Sequence, residues 1–179
     1  MNRAMREAST SRTATDTDSY AFLILILYAN EGMTAATVSF MKIYLIYGEQ
    51  DAGKSTVCRR LFSALKGLNA TVDYYERFEW GDFKSILTLN GVKIAIYSAG
   101  DEKQHLVAAR EFGQTKGCDV LISAVRYHTH YNEPLEDLTH DKDFFWLTLD
   151  KGADTEEMNR NETRIAFDLL YKISEIINH

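Results

Sequence analysis

The stretch GEQDAGKS, residues 48–55, sets Gly48 and Gly53 five positions apart and follows the second with Lys54 and Ser55. Ahead of it, MKIYLIY (41–47) is a short apolar and aromatic run ending at a glycine, the pattern of a parallel strand buried on both faces. Behind it, KSTVCRRLFSALKGL repeats Val57, Leu61, Phe62, Leu65 and Leu68 at helical spacing and offers Gly67 as a C-terminal cap. A strand end, a glycine-bearing turn and a helix start therefore meet at one point. Glycine lacks a Cβ, so the backbone at Gly48 and Gly53 is free to take positive φ and to approach a bound group closely while several N–H groups converge. The helix start adds unpaired N–H groups and a partial positive charge. The stretch predicts a loop that holds an anion.

Beyond this loop, ATVDYYER (70–77) reads as a second strand. FKSILTLNGVKIAIYS contains Asn90 and Gly91, the dipeptide of a two-residue type I′ turn, and its Leu87, Leu89, Val92, Ile94 and Ile96 can share one face. A hairpin is expected there. Residues 102–116 read as a helix ending at Gly117, with CDVLISAV (118–125) and DFFWLTLD (143–150) as further apolar strands. Asp154 and Glu157 have the spacing of a capping box at the head of a long last helix, whose apolar stripe is Ile165, Leu169, Leu170, Ile173, Ile176 and Ile177. This alternation predicts an α/β fold: a mostly parallel sheet with helices on both faces and one antiparallel hairpin edge.

At 179 residues, with 45% hydrophobic and 12% aromatic side chains, the chain suits one buried core. Residues 1–20 are rich in Ser, Thr and charge without periodicity, a composition that predicts disorder. AFLILILYA (21–29) falls short of the roughly 20 apolar residues a bilayer-spanning helix needs. Asp16 and Asp18 occupy the flank that a signal peptide would charge positively. The expected organisation is an extension, 1–40, whose residues 22–28 would dock as an edge strand or short apolar segment, and a domain, 41–179. A net charge of −6 and a pI near 5.4 argue against a nucleic-acid partner. No membrane partner is expected either. Cys58 and Cys118, outside any CxxC spacing, read as reduced buried thiols, which fits a cytoplasmic protein.

Set between a strand and a helix, GxxxxGK[ST] resembles the Walker A loop of the P-loop nucleoside triphosphatases. The resemblance covers residues 41–68 closely and the strand order through to the C-terminus loosely. It implies that 41–179 is a nucleotide-binding domain with the three-layer P-loop NTPase fold. It also implies that Gly48, Glu49, Gln50, Asp51, Ala52, Gly53, Lys54, Ser55 and Thr56 enclose the phosphates of a nucleoside triphosphate. Lys54 would then bridge β and γ oxygens, Ser55 would ligate Mg2+, and Thr56 would touch the α-phosphate.

KIAIYSAGDEKQHL (93–106) is similar to the corresponding region of Ras-like GTPases, where a hairpin strand runs into an Asp, two residues and a glycine, followed by a switch helix. Gly100 stands in the glycine position and Asp101 in that of the water-orienting glutamine, but Tyr97 replaces the strand-end aspartate. The carboxylate for Mg2+ is then expected from Asp101 or Glu102, or from Asp73 or Glu76 on the second strand; a plain alternative for Asp101 is a helix N-cap. The NKxD motif by which that family selects guanine has only a compositional echo in Asp150, Lys151 and Asp154, so ATP is expected before GTP. Small-molecule kinases of this fold place a base at the end of the second strand and arginines later, positions that Glu76, Arg77 and Arg126 could fill.

The function implied is Mg2+-dependent binding of ATP (or GTP) with hydrolysis or transfer of the γ-phosphate, with Lys54, Asp101, Glu76 and Arg126 in catalytic roles. A rival from another class is a nucleotide-sensing module that meets a protein partner and turns over little. In RYHTHYNEP (126–134), His128 and His130 lack a third ligand of zinc-site spacing. That loop is expected to overlie the nucleotide or a partner, with Tyr127 and Tyr131 as contact surface. Trp80 and Trp146 read as packing residues.

Overall fold

In a computed structural model that describes residues 41–126 and 144–178, the apolar run ahead of the glycine turn is strand β1, Lys42–Gly48. Its side chains alternate, with Tyr44 and Ile46 entering one apolar cluster and Ile43 and Leu45 another. That period of two lets one strand feed both faces of a sheet. The chain continues as α1 (Lys54–Gly67), β2 (Thr71–Arg77), a 3-10 turn (Glu79–Gly81), β3 (Phe83–Leu89) and β4 (Val92–Tyr97). It then forms α2 (Lys103–Thr115), β5 (Val120–Arg126), β6 (Phe144–Thr148) and α3 (Thr155–Ile177). All of these lie in one unit, Ser39–His179. The expectations for 1–40, and those for Tyr127, His128, His130 and Tyr131, fall outside the described residues.

The strands form a six-stranded sheet in the order β2-β3-β4-β5-β1-β6. β4, β5, β1 and β6 run parallel, while β2, β3 and β4 pair antiparallel, so the mixed α/β sheet is mostly parallel with one antiparallel edge. On one face, Val57, Leu61 and Leu65 of α1 and Ile165, Leu169 and Ile173 of α3 pack on Ile46, Ile94, Ile96 and Ile122. On the other, Leu106 and Ala109 of α2 meet Leu45, Ala95 and Leu121. Burying such side chains contributes about 1.5–3 kcal/mol each, the main force holding the layers. The hairpin forms as its turn residues require: Asn90 and Gly91 both take positive φ, 50° and 86°. Leu87, Leu89, Ile94 and Ile96 share one buried face. Among the described residues no helix is long and apolar enough to cross a membrane.

Several local expectations need correction. Gly67 is the last residue of α1, and the left-handed residue that ends the helix is Asn69 (φ 65°), with the Ala70 N–H donating to the Leu65 carbonyl at 3.0 Å. The turn comes after the apolar stripe, so Leu68 is left 55% exposed. Gly48 does not take positive φ; it is glycine because a Cβ would lie 2.6 Å from the Leu149 carbonyl oxygen at the end of β6. Trp80 is not a packing residue. With φ of 66° at the tip of the 3-10 turn, it projects away from the body and is 98% exposed. Trp146 sets its edge against Tyr47 at 5.3 Å between ring centres, although one face stays open.

Candidate functional site

The ends of β1, β4 and β5 open on one side of the sheet, in the crevice where ligands of open α/β sheets bind. The turn after β1 leads into α1 through Gly53, whose φ of 94° needs a residue without Cβ. No side chain caps this helix, and its first turn carries no acidic residue. Its leading N–H groups are therefore open to an outside anion. α3 shows the contrast: Asp154 accepts from the Glu157 N–H at 2.8 Å, and Glu156 and Glu157 occupy its first turn. Of the two helices, α3 is capped by its own carboxylates and α1 is not.

Lys54 follows the cap. Its Nζ is folded back on the loop, donating to the carbonyls of Gly48 at 3.0 Å and Glu49 at 2.5 Å. Burial lowers its pKa from the ordinary lysine value, with Arg126 adding to that effect and Asp101, Asp51 and Asp82 opposing it. A charged amine held by carbonyls alone in such a place is poised to exchange them for stronger acceptors, and phosphate oxygens are of that kind.

Beside it, Ser55 Oγ donates to Asp82 Oδ1 at 2.7 Å, and the Ser98 hydroxyl donates to the same oxygen at 2.8 Å. Asp82 reaches this point from the turn ahead of β3. Phe83 and Ser98 are joined by two bonds, the Ser98 N–H to the Phe83 carbonyl at 2.9 Å and the Phe83 N–H to the Ser98 hydroxyl at 2.8 Å. The hairpin register thus carries Asp82 to the end of β4, where Tyr97 turns into the opposite apolar cluster beside Phe78 and Phe112. A hydroxyl and a carboxylate this close are a fit for a hard divalent cation such as Mg2+, which takes one or two protein carboxylates and fills its shell with water and phosphate oxygens. Among the described residues no three of His, Cys, Asp and Glu gather round one point.

A cavity of about 370 Å3 joins these groups to Gln50, Asp51, Thr56, Arg59, Gly100, Asp101, Arg126, Met158 and Glu162. Arg126 Nε lies 3.2 Å from Asp101 Oδ1, yet the alignment is too poor for a hydrogen bond and leaves this buried N–H without an acceptor. Gly100 lets the segment after β4 pass against β5: a Cβ there would sit 2.0 Å from the Ala124 carbonyl oxygen. The lining carries Asp51, Asp82, Asp101 and Glu162 against Lys54, Arg59 and Arg126, and Arg60 behind it pairs with Glu162. The fixed charges around the cavity therefore balance, and the several negative charges of a polyphosphate are left for a divalent cation to offset.

Of the residues singled out from sequence, Gln50, Asp51, Gly53, Lys54, Ser55, Thr56, Asp101 and Arg126 come together in this cavity. Gly48 and Glu49 border a second one of about 340 Å3, with Tyr47, Thr148, Leu149, Asp150 and Lys151. Ala52 is buried beneath the loop. Asp101 does not cap α2, since Glu102 stands at that position. Glu76 is not brought to the site: it lies exposed on β2, hydrogen-bonded by Tyr74 and paired with Lys84 at 3.1 Å. Those two contacts lower its pKa, the wrong direction for a general base. Asp73 accepts from Thr88 at 2.5 Å on the same outer strand. Sequence reasoning missed Asp82, Arg59 and Glu162. Counting outward from Asn90–Gly91 pairs Phe83 with Ser98 and would have exposed the first. Comparison of the chain with protein-family models, with curated proteins and with solved structures finds no match.

Proposed function

We propose that this chain is a P-loop nucleoside triphosphate-binding protein that takes its nucleotide, ATP in the first instance, as the Mg2+ complex and hydrolyses or transfers the γ-phosphate. The observation that carries this reading is the uncapped start of α1 bearing Lys54, with Ser55 Oγ and Asp82 Oδ1 2.7 Å apart beside it. A mostly parallel sheet with helices on both faces is also what the three-layer fold of that superfamily requires. In this reading the α1 amides surround the β-phosphate, and Lys54 leaves the Gly48 and Glu49 carbonyls to bridge the β and γ oxygens. Ser55 and Asp82, the latter directly or through water, would hold Mg2+, which supplies charge neutralisation on the phosphate oxygens. Arg126, at the end of β5, would meet charge developing on the γ-phosphate, and its pairing partner Asp101 would set its direction.

A second reading, the nucleotide-sensing module, is favoured by the turn that carries Asp82. The Phe78 N–H donates to the Asp82 carbonyl at 2.7 Å, closing a tight loop with the exposed Trp80 at its tip. A change at Ser55 would be felt there directly, and a protein partner could read it. Phosphate release from ATP in Mg2+ and in EDTA separates the two readings. An enzyme gives steady Mg2+-dependent release that Lys54→Ala abolishes. Tight binding without release leaves the sensor, and the kinase version requires label transfer to an acceptor.

A further inference from the structure

The cavity at the head of α1 is lined on two flanks of that helix. On one, Ser55 meets Asp82 and Ser98. On the other, Met158 and Glu162, one turn apart on α3, complete the lining. Nothing in a phosphate site calls for a carboxylate on that second flank. Glu162 is nonetheless only 7% exposed, and a buried charge is costly unless it is paired. Arg60 supplies the pairing, donating to Glu162 Oε2 at 3.0 Å while its other bonds go to Asn159 at 2.6 Å and Thr163 at 3.3 Å. The second carboxylate oxygen, Oε1, lies over Gly53, 2.2 Å from where a Cβ would stand. The carboxylate is thus fixed through one oxygen and presents the other beside the loop.

We infer that Glu162 is the sugar contact of the bound nucleotide, with Oε1 accepting a hydrogen bond from a ribose hydroxyl and Met158 giving the adjoining apolar surface. The inference rests on the nucleotide reading above and adds which part of the ligand α3 recognises. In the reading above, Ser55 and Asp82 take the terminal phosphates with their cation and Thr56 the α-phosphate, so the nucleoside is assigned to the other flank, beyond Thr56 and towards α3. A carboxylate there repels a further phosphate but accepts well from a neutral hydroxyl, and folds that bind dinucleotides pair Asp or Glu with the ribose 2′-OH for this reason. Position 53 gains a second demand for glycine, because any side chain would displace the Glu162 carboxylate. A nucleotide phosphorylated on its ribose is excluded on the same grounds.

The test is calorimetric titration of the full chain in Mg2+ with ATP, 2′-deoxy-ATP, 3′-deoxy-ATP and inorganic tripolyphosphate, for the wild type and Glu162→Gln. The wild type binds ATP on the order of tenfold more tightly than at least one deoxy form, the worth of a hydrogen bond to a charged group. In Glu162→Gln that preference shrinks to about twofold or less, while tripolyphosphate binds equally well or better because a negative charge has gone. Equal affinity of the wild type for ATP and both deoxy forms overturns the inference without need of a variant. So does a preference that survives Glu162→Gln, which would direct the sugar to the cavity at Asp150 and Lys151. In both cases tripolyphosphate still binds. Failure of tripolyphosphate and ATP alike overturns the nucleotide reading itself.

Discussion

Asp82 shows at the scale of one residue how chain position and spatial position part company. It follows a turn glycine rather than a strand, so nothing local in EWGDF marks it as part of the loop at 48–55; only the pairing of β3 with β4 carries it there. The shape of the loop was legible because it is local, one turn and one helix start. Gly48 was legible for the wrong reason, since contact with the Leu149 carbonyl and not its own φ demands glycine. Asp82→Asn is expected to weaken Mg2+-dependent nucleotide binding by about 10–100-fold, the usual penalty for losing a carboxylate that orders a metal site. Tripolyphosphate titrated in EDTA should bind the variant no worse than the wild type, and equal loss under both conditions would remove Asp82 from the metal's surroundings.

Cys58 gives a second prediction at this scale, for pH. Burial first, with the field of Asp82 next, pushes its thiol from an ordinary 9.0 up to about 12, and burial takes Cys118 to about 11. A folded pKa raised in this way contributes stability that is whole below pH 9.0 and is lost as the pH rises, because the unfolded thiol ionises while the folded one keeps its proton. Each thiol removes about 1.4 kcal/mol per pH unit inside its window. Denaturant unfolding from pH 8 to 11 should show a steeper fall for the wild type than for Cys58→Ala, even though the variant starts less stable. Parallel curves would place the thiol in water.

Among the elements, the two helices that share a face were equally visible in sequence, yet their ends were not. α3 carries its cap in its own sequence, and Asp154 does bond the Glu157 N–H; the Glu157 side chain returns to the Ala153 N–H at 2.7 Å, one residue earlier than the standard box. α1 stops where Asn69 turns left-handed, a choice that spacing alone left to Gly67. Asp154→Ala is expected to cost about 1 kcal/mol by thermal or denaturant unfolding and to leave nucleotide affinity unchanged. A drop in affinity would mean that the cap also orients Met158 and Glu162 on the same helix. The exposed turn at Trp80 escaped the reading because aromatic content predicts burial on average, whereas a positive φ at one residue is a property of the closed loop.

For the whole molecule, the class of fold followed from alternation: apolar runs, helical stripes and an Asn-Gly turn suffice for a mostly parallel sheet with helices on both faces. Strand order did not follow, since periodicity says which face a residue takes and not which strand lies beside it. β5 comes between β1 and β4, and the segment after β4 runs on beside β5, where Gly100 is packed against Ala124 and the Arg126 N–H donates to the Gly100 carbonyl at 2.9 Å. That continuation brings Asp101 and Arg126 to the same wall as Lys54.

In the function proposed, this wall closes around a polyphosphate together with a divalent cation. Isothermal titration of the full chain with ATP, with and without Mg2+, tests it most directly. Saturable heat is expected in Mg2+, with binding about tenfold or more weaker in EDTA and none for Lys54→Ala up to about millimolar titrant. Binding that is indifferent to Mg2+ and survives Lys54→Ala would contradict it.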